Sequence, residues 1–194
     1  MTSSNRAQFI TRTAKGGLAL VAGGSVLAEV SSLALASGVT DADIAKLAAS
    51  AELLAINFYT RAISSGKFHD RDERRYLHQA RGAEVAHYDA LRGVLGSATP
   101  KGLTFRYPPG AFGSRIAIAK LGVALETAFV GAYLGAVTSL HSNELKGVAA
   151  TIAASESQHL SVFSDIAHNA PIGPAFPKSL TAAQATTAVS GFIA

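Results

Sequence analysis

Residues 121–140 read LGVALETAFVGAYLGAVTSL and carry one charged side chain, Glu126. The period of the apolar positions is helical, Ala, Leu and Gly dominate, and no proline interrupts the chain between Ser114 and Ala170. The stretch therefore predicts a long helix buried on most of its circumference. The two settings that bury such a helix, a bundle core and a bilayer, both penalise an unpaired carboxylate by several kcal/mol or more. Glu126 must then be neutral, paired with a cation or bound to a metal. Its helix offers no cation between Lys120 and Glu144.

Working outward from Glu126, three further helices are expected. The first runs from about Thr40, a plausible N-cap, to near Gly66, the second from Asp70 to about Ser97, and the fourth from Asn143 to about Asn169, with the helix of Glu126 spanning Ser114 to Leu140. Helices 1 and 2, and helices 3 and 4, are joined by a few residues. The Gly- and Pro-rich stretch ATPKGLTFRYPPGAFGS, residues 98–114, separates helices 2 and 3 and is too punctuated to be helical. Short, long, short is the connection pattern of an all-α, ferritin-like four-helix bundle with one long crossover between helices 2 and 3, because about 15 residues is more than an adjacent antiparallel pair needs. A tail over 170–194 contains Pro171, Pro174 and Pro177, with a short helical turn expected near TAAQATTAV, residues 181–189.

The second helix contains GAEVAHYDAL, residues 82–91, and the fourth ASESQHLSVF, residues 154–163. Both hold Glu-x-x-His: Glu84 with His87, and Glu156 with His159. Three residues turn a helix by about 300°, so each pair projects from one face and can reach a common ion. The other two helices each supply a lone glutamate in apolar surroundings, Glu52 and Glu126. One carboxylate from each of two helices and a Glu-x-x-His pair from each of the other two is the donor set of di-iron and di-manganese carboxylate bundles. With six His in 194 residues, a given Glu has about a 3% chance of a His three positions on, so two such pairs among seven Glu is an accident of about 2%. The alternative, in which each Glu is an exposed or salt-bridged helix residue, leaves Glu126 unexplained.

On these residues the chain, over about 40–169, resembles the ferritin-like superfamily of dinuclear metal proteins and, more narrowly, exported bacterial ferritin-like domain proteins that include desiccation-related proteins. The resemblance implies two divalent metal ions, iron or manganese. It casts Glu84 and Glu156 as bridging ligands, His87 and His159 as ligands to one ion each, and Glu52 and Glu126 as terminal carboxylates. It further implies oxidation of Fe²⁺ with O₂ or peroxide, or disposal of peroxide; the alternative is a non-catalytic, metal-stabilised envelope or stress protein. Whether the chain is an enzyme stays open at this point, as does homo-oligomer formation. Glu52 and Glu84 are 32 residues apart and Glu126 and Glu156 are 30 apart, so the halves look like a pseudo-repeat. Tyr59 and Tyr133 each follow a lone glutamate by seven residues, two turns along one face. They are expected either to hydrogen-bond near the site or to be core tyrosines bonded elsewhere. Asp89 and Asp165 are weaker candidates for orienting the imidazoles.

Composition narrows the rest. There are no cysteines, which removes thiolate metal sites and cysteine nucleophiles and leaves oxygen and imidazole donors, suited to iron or manganese. The formal charge of +4 falls to +2 without residues 1–36, since three of 17 basic and one of 13 acidic residues leave with them, too little for a nucleic-acid binder. Arg71, Arg74, Arg75 and Arg81 are interleaved with Asp70, Asp72 and Glu73 and read as a solvated helix start. His69, His78, His141 and His168 follow no repeated pattern and are expected at the surface or at caps. Residues 1–36 read as an export signal: Arg6, Arg12 and Lys15 precede the apolar stretch 16–28, and Ala34–Leu35–Ala36 resembles a cleavage site. The 13 uncharged residues are short of a bilayer span, so export is expected without a permanent membrane span. The segment NRAQFIT resembles the twin-arginine motif with Ala7 in place of the second arginine, so it does not decide between the two bacterial export routes, Sec and Tat. The expected mature chain is a bundle over 37–169 followed by the tail.

Overall fold

The computed structural model describes residues 38–194; the export segment read at 1–36 lies outside the described residues. Five helices are present among them: α1 (Asp41–Ser64), α2 (Arg71–Leu95), α3 (Arg115–Ser139), α4 (Asn143–Ile166) and α5 (Ala182–Ser190). No strand is formed by the described residues. The first four begin at side-chain caps. Thr40 and Asp43 form a reciprocal capping box, Asp70 accepts from the amides of Asp72 and Glu73, and Ser114 and Ser142 cap α3 and α4. Each cap satisfies a backbone N–H that would otherwise lack a partner, worth about 1 kcal/mol.

Helices α1 and α2 pack as one hairpin and α3 and α4 as the other, with α1 against α3 and α2 against α4. Two contacts fix the directions. Asp41, opening α1, accepts from the amides of His141 and Ser142 in the α3–α4 turn, at 2.8 and 2.9 Å. Arg115, opening α3, donates to Glu73 in the first turn of α2 at 2.9 Å. Helix α3 therefore runs antiparallel to α1 and parallel to α2, and the connector must travel back along the bundle. It does so under restraint. Tyr88 donates to the Pro100 carbonyl at 2.7 Å, Tyr107 donates to Asn57 Oδ1 at 3.0 Å, and the Arg61 guanidinium lies 5.2 Å from the ring centres of Tyr107 and Phe112.

Helix α3 is long and apolar enough to cross a membrane, and about half of its most apolar window is buried inside the molecule. Its glycines explain what that surface meets. A Cβ on Gly122 would stand 2.5 Å from the Phe163 ring, and one on Gly135 would stand 1.7 Å from the Leu180 carbonyl oxygen. Gly122 thus makes room for an α4 aromatic. Gly135 lets the tail lie flat on α3, where Leu180 N donates to the Gly131 carbonyl at 2.8 Å. Beyond it α5 buries Ala185, Thr186 and Val189 against the bundle, and the end of the chain bonds to the connector through Arg106 N to Phe192 O and Ala194 N to Thr104 O. The Pro-containing tail thus ends as a packed helix.

Candidate metal centre

All six donors read from the sequence converge in the middle of the bundle. Glu84, Glu126 and Glu156 are fully buried, Glu52 and His159 nearly so, and the His87 side chain keeps 13% exposure. Ligand atoms of Glu52, Glu84, His87 and Glu156 lie within 4.8 Å of one another, and so do those of Glu84, Glu126, Glu156 and His159. Glu84 and Glu156 belong to both sets. The Glu-x-x-His spacing produces this crossing: His87 Nδ1 lies 3.2 Å from Glu84 Oε2 on its own helix and 3.1 Å from Glu156 Oε1 on the other. His159 Nδ1 lies 3.0 Å from Glu156 Oε2 and 2.9 Å from Glu84 Oε1.

The two tyrosines reach the site reciprocally. Tyr59, on the helix of Glu52, donates to Glu126 Oε1 at 2.6 Å, and Tyr133, on the helix of Glu126, donates to Glu52 Oε1. Antiparallel packing is the reason: seven residues advance each helix by roughly 10 Å in opposite directions, which carries each phenol toward the other helix's carboxylate. Burial, with the neighbouring carboxylates, holds both phenols well above their usual pKa, so they stay protonated and donate. A third phenol extends one side. Tyr76 Oη is 3.1 Å from Tyr59 Oη and donates to the His159 carbonyl at 3.2 Å. Nothing in the spacing pointed to Tyr76; the equivalent place in the second half, eight residues before Glu156, holds Val148.

Symmetry extends to the oxygens without partners. Glu52 Oε2, Glu126 Oε2, Glu84 Oε1 and Glu156 Oε1 are buried and make no hydrogen bond among the described residues, although Nδ1 of His87 or His159 lies 2.9 to 3.5 Å from each of them except Glu126 Oε2. Each lone glutamate is thus held by a phenol on one oxygen and presents the other to the interior. Each motif glutamate accepts from its own histidine on Oε2 and presents Oε1. Four inward oxygens without a hydrogen bond in a protein interior are costly, and a cation held among them would relieve that cost.

The protonation balance has the same cause. Burial, reinforced by the charges of Glu84 and Glu156, pushes Glu52 and Glu126 well above the ordinary carboxylate range. Burial also acts against ionised Glu84, but the imidazoles of His159 and His87 beside it outweigh that effect and hold the carboxyl at about 2. For the imidazoles burial favours the neutral form, yet the surrounding carboxylates raise His87 to about 12 and His159 to about 9. Without a metal the histidines carry the positive charge. Four carboxylates and two neutral imidazoles would balance two divalent ions, four negative charges against four positive, so the donor set fits a pair of hard or borderline cations.

The remaining polar candidates stand apart. Asp89 pairs with Arg92 at 3.2 Å and Asp165 is exposed, so neither orients an imidazole. His69, His78, His141 and His168 are all exposed. Arg71 and Arg75 pair with Asp72 at the solvated start of α2.

Residues 40–169 match the family model described as the ferritin-like domain. No curated protein matches the chain.

Proposed function

The chain belongs to the ferritin-like domain family, and from that premise we propose that it is an exported protein holding two divalent metal ions, iron or manganese, that oxidises Fe²⁺ with O₂ or peroxide or disposes of peroxide. The single observation that carries this reading is the set of four inward carboxylate oxygens without partners, arranged so that Glu84 and Glu156 belong to two overlapping donor groups. Glu52 and His87 complete one group, and Glu126 and His159 the other. A bound pair of redox-active ions would supply two-electron chemistry toward O₂ or peroxide.

What the chain contributes is orientation and exclusion. Tyr59 and Tyr133 fix one oxygen of each terminal carboxylate and leave the second free. Before an ion binds, Glu84 and Glu156 are held by their own histidines. The bundle keeps bulk water from a site whose only partly exposed ligand is His87. Loading the protein with Fe²⁺ or Mn²⁺, counting ions per chain, and following O₂ and peroxide consumption tests the proposal. Two ions with turnover are expected; neither binding nor turnover with either metal overturns it.

The burial of five of the six ligands favours a second reading, a non-catalytic envelope or stress protein in which the ions act as a structural rivet. Two ions bound with no consumption of O₂ or peroxide would select it. Export rests on residues 1–36, and recovery of the cleaved chain from the cell exterior or envelope tests that part.

A further inference from the structure

Two apolar cavities share Tyr133 in their walls. The larger, about 40 Å³, lies between α1, α3 and α5, with Leu47, Phe129, Leu180 and Val189 among its walls. The smaller, about 20 Å³, lies inside the bundle among Ala45, Leu91, Leu140 and Ile152. Ile44, Ala48, Tyr133 and Ala136 line both. Along α3 the residues lining the larger cavity run from Ser139, which is exposed, to Ala128, a rise of roughly 16 Å. It exists because the facing positions on the two helices are small: Ala48 and Ala51 on α1, Ala132 and Gly135 on α3. The tail forms its outer wall.

None of the six donors lines the larger cavity, but it comes within one side chain of the centre. Ala51 lines it and precedes Glu52, and Tyr133 lines it and donates to Glu52 Oε1. The other half has no counterpart among the described cavities: Tyr59 is packed between the rings of Phe58, Tyr76, His159 and Phe163, at centroid distances of 5.3 to 6.4 Å.

Size and lining select the occupant. Water and hydrogen peroxide need several hydrogen-bond partners, and the only polar side chains in these walls are Ser139 and Tyr133, whose phenol already donates to Glu52. An acyl chain or a ring is too large, since about 150 Å³ is needed to hold benzene. A small apolar diatomic molecule fits. We infer that this cavity is the entry route for dioxygen to the Glu52–His87 side of the centre. The inference rests on the proposed function and narrows its oxidant to O₂.

Xenon, a spherical apolar probe that binds dry cavities, separates the route from the chemistry. Crystals of the zinc-loaded protein under xenon pressure should show xenon between α1, α3 and α5. Ala48→Leu and Ala132→Leu, which fill the space from opposite helices and replace no ligand, should each abolish it. In the same variants O₂-driven oxidation of Fe²⁺ should slow about tenfold, while iron stoichiometry and oxidation driven by added peroxide stay unchanged. Oxidation by O₂ in the unsubstituted protein without xenon in the cavity overturns the route alone. So does an unchanged O₂ rate in either variant that has lost xenon. If the unsubstituted protein binds no iron or does not oxidise it, the proposed function falls and the route falls with it, whatever xenon shows.

Discussion

The two halves of the centre are built from the same parts and are wrapped differently. Glu52, His87 and Tyr133 form one side, Glu126, His159 and Tyr59 the other, each with a phenol on one oxygen of the lone carboxylate. On the Tyr133 side the neighbours are small and leave an apolar cavity, and His87 retains some exposure. On the Tyr59 side Phe58, Tyr76 and Phe163 close around the phenol, and His159 is buried. Ligand positions follow the bundle's pseudo-symmetry, whereas access follows the packing around them. One side is built to hold and the other to admit.

The largest effect should come from removing what the halves share. Glu84→Ala or Glu156→Ala takes a carboxylate from both donor groups, and elemental analysis should find both ions lost. Glu52→Ala and Glu126→Ala each damage one group and should leave one ion per chain. Each ion held at a hundred times its dissociation constant stabilises the fold by about 2.7 kcal/mol, so the shared-ligand variants should lose roughly twice the metal-dependent rise in melting temperature. Equal losses from all four variants would show that the centre loads as an indivisible unit and would break the comparison.

Metal loading must also displace protons. With His87 raised to about 12 and His159 to about 9, both imidazoles are charged at pH 7 in the metal-free protein and must be neutral to bind. Loading should therefore release at least two protons, one from each, and affinity should fall as pH is lowered. In the absence of metal the sign for folding is the reverse. A histidine whose folded pKa is raised contributes stability that is complete below about 6.5 and is lost as pH rises from there to the folded value, so the metal-free protein should weaken from about pH 6.5 upward, more shallowly once His159 has titrated at about 9. Titration calorimetry in buffers of different ionisation enthalpy reads the released protons, and thermal melts across pH read the stability.

A different kind of contact separates the halves on the outside. The tail lies on α3 where Gly131 and Gly135 leave no side chain, beside the cavity and away from the closed side. Gly135→Val drives a branched side chain into the Leu180 carbonyl and should cost about 1–3 kcal/mol, the usual range for overpacking. It should also expose residues 178–190 to protease while metal stoichiometry holds. Loss of metal in this variant would mean that the tail supports the ligands themselves.

How much of this was legible beforehand follows from what spacing encodes. The four helices and the long crossover were readable because caps, prolines and helical periodicity are local signals: Thr40 caps α1 as expected, and α2 and α3 begin within a residue of the starts read at Asp70 and Ser114. The convergence of the six donors was readable because i, i+3 pairs on alternating helices admit few other arrangements. Tyr59 and Tyr133 carried a spacing signal, but which carboxylate each would meet depended on the antiparallel pairing of α1 and α3. The packed α5, the use of Gly135 and the cavity depend on contacts between residues far apart in the chain, and no local pattern announces them. Tyr76 was invisible for the same reason, having no partner in the other half.

Tyr76 therefore offers the finest test of the asymmetry. Tyr59→Phe removes the only hydrogen bond to Glu126 Oε1 and strands a buried carboxylate oxygen, a loss of about 1–3 kcal/mol, and Tyr133→Phe should cost a similar amount at Glu52. Tyr76→Phe leaves both carboxylates held and removes only the hydroxyl that lies 3.1 Å from Tyr59 Oη and donates to the His159 carbonyl, so it should cost about 0.5–1.5 kcal/mol. If the closed half depends on Tyr76 to fix Tyr59, the double variant Tyr59→Phe with Tyr76→Phe will cost less than the sum of the singles by at least about 0.5 kcal/mol, whereas Tyr133→Phe with Tyr76→Phe will be additive. Denaturant unfolding of the metal-free proteins measures all five. Additivity in both pairs would mean that Tyr76 is a bystander and that the halves differ in packing alone.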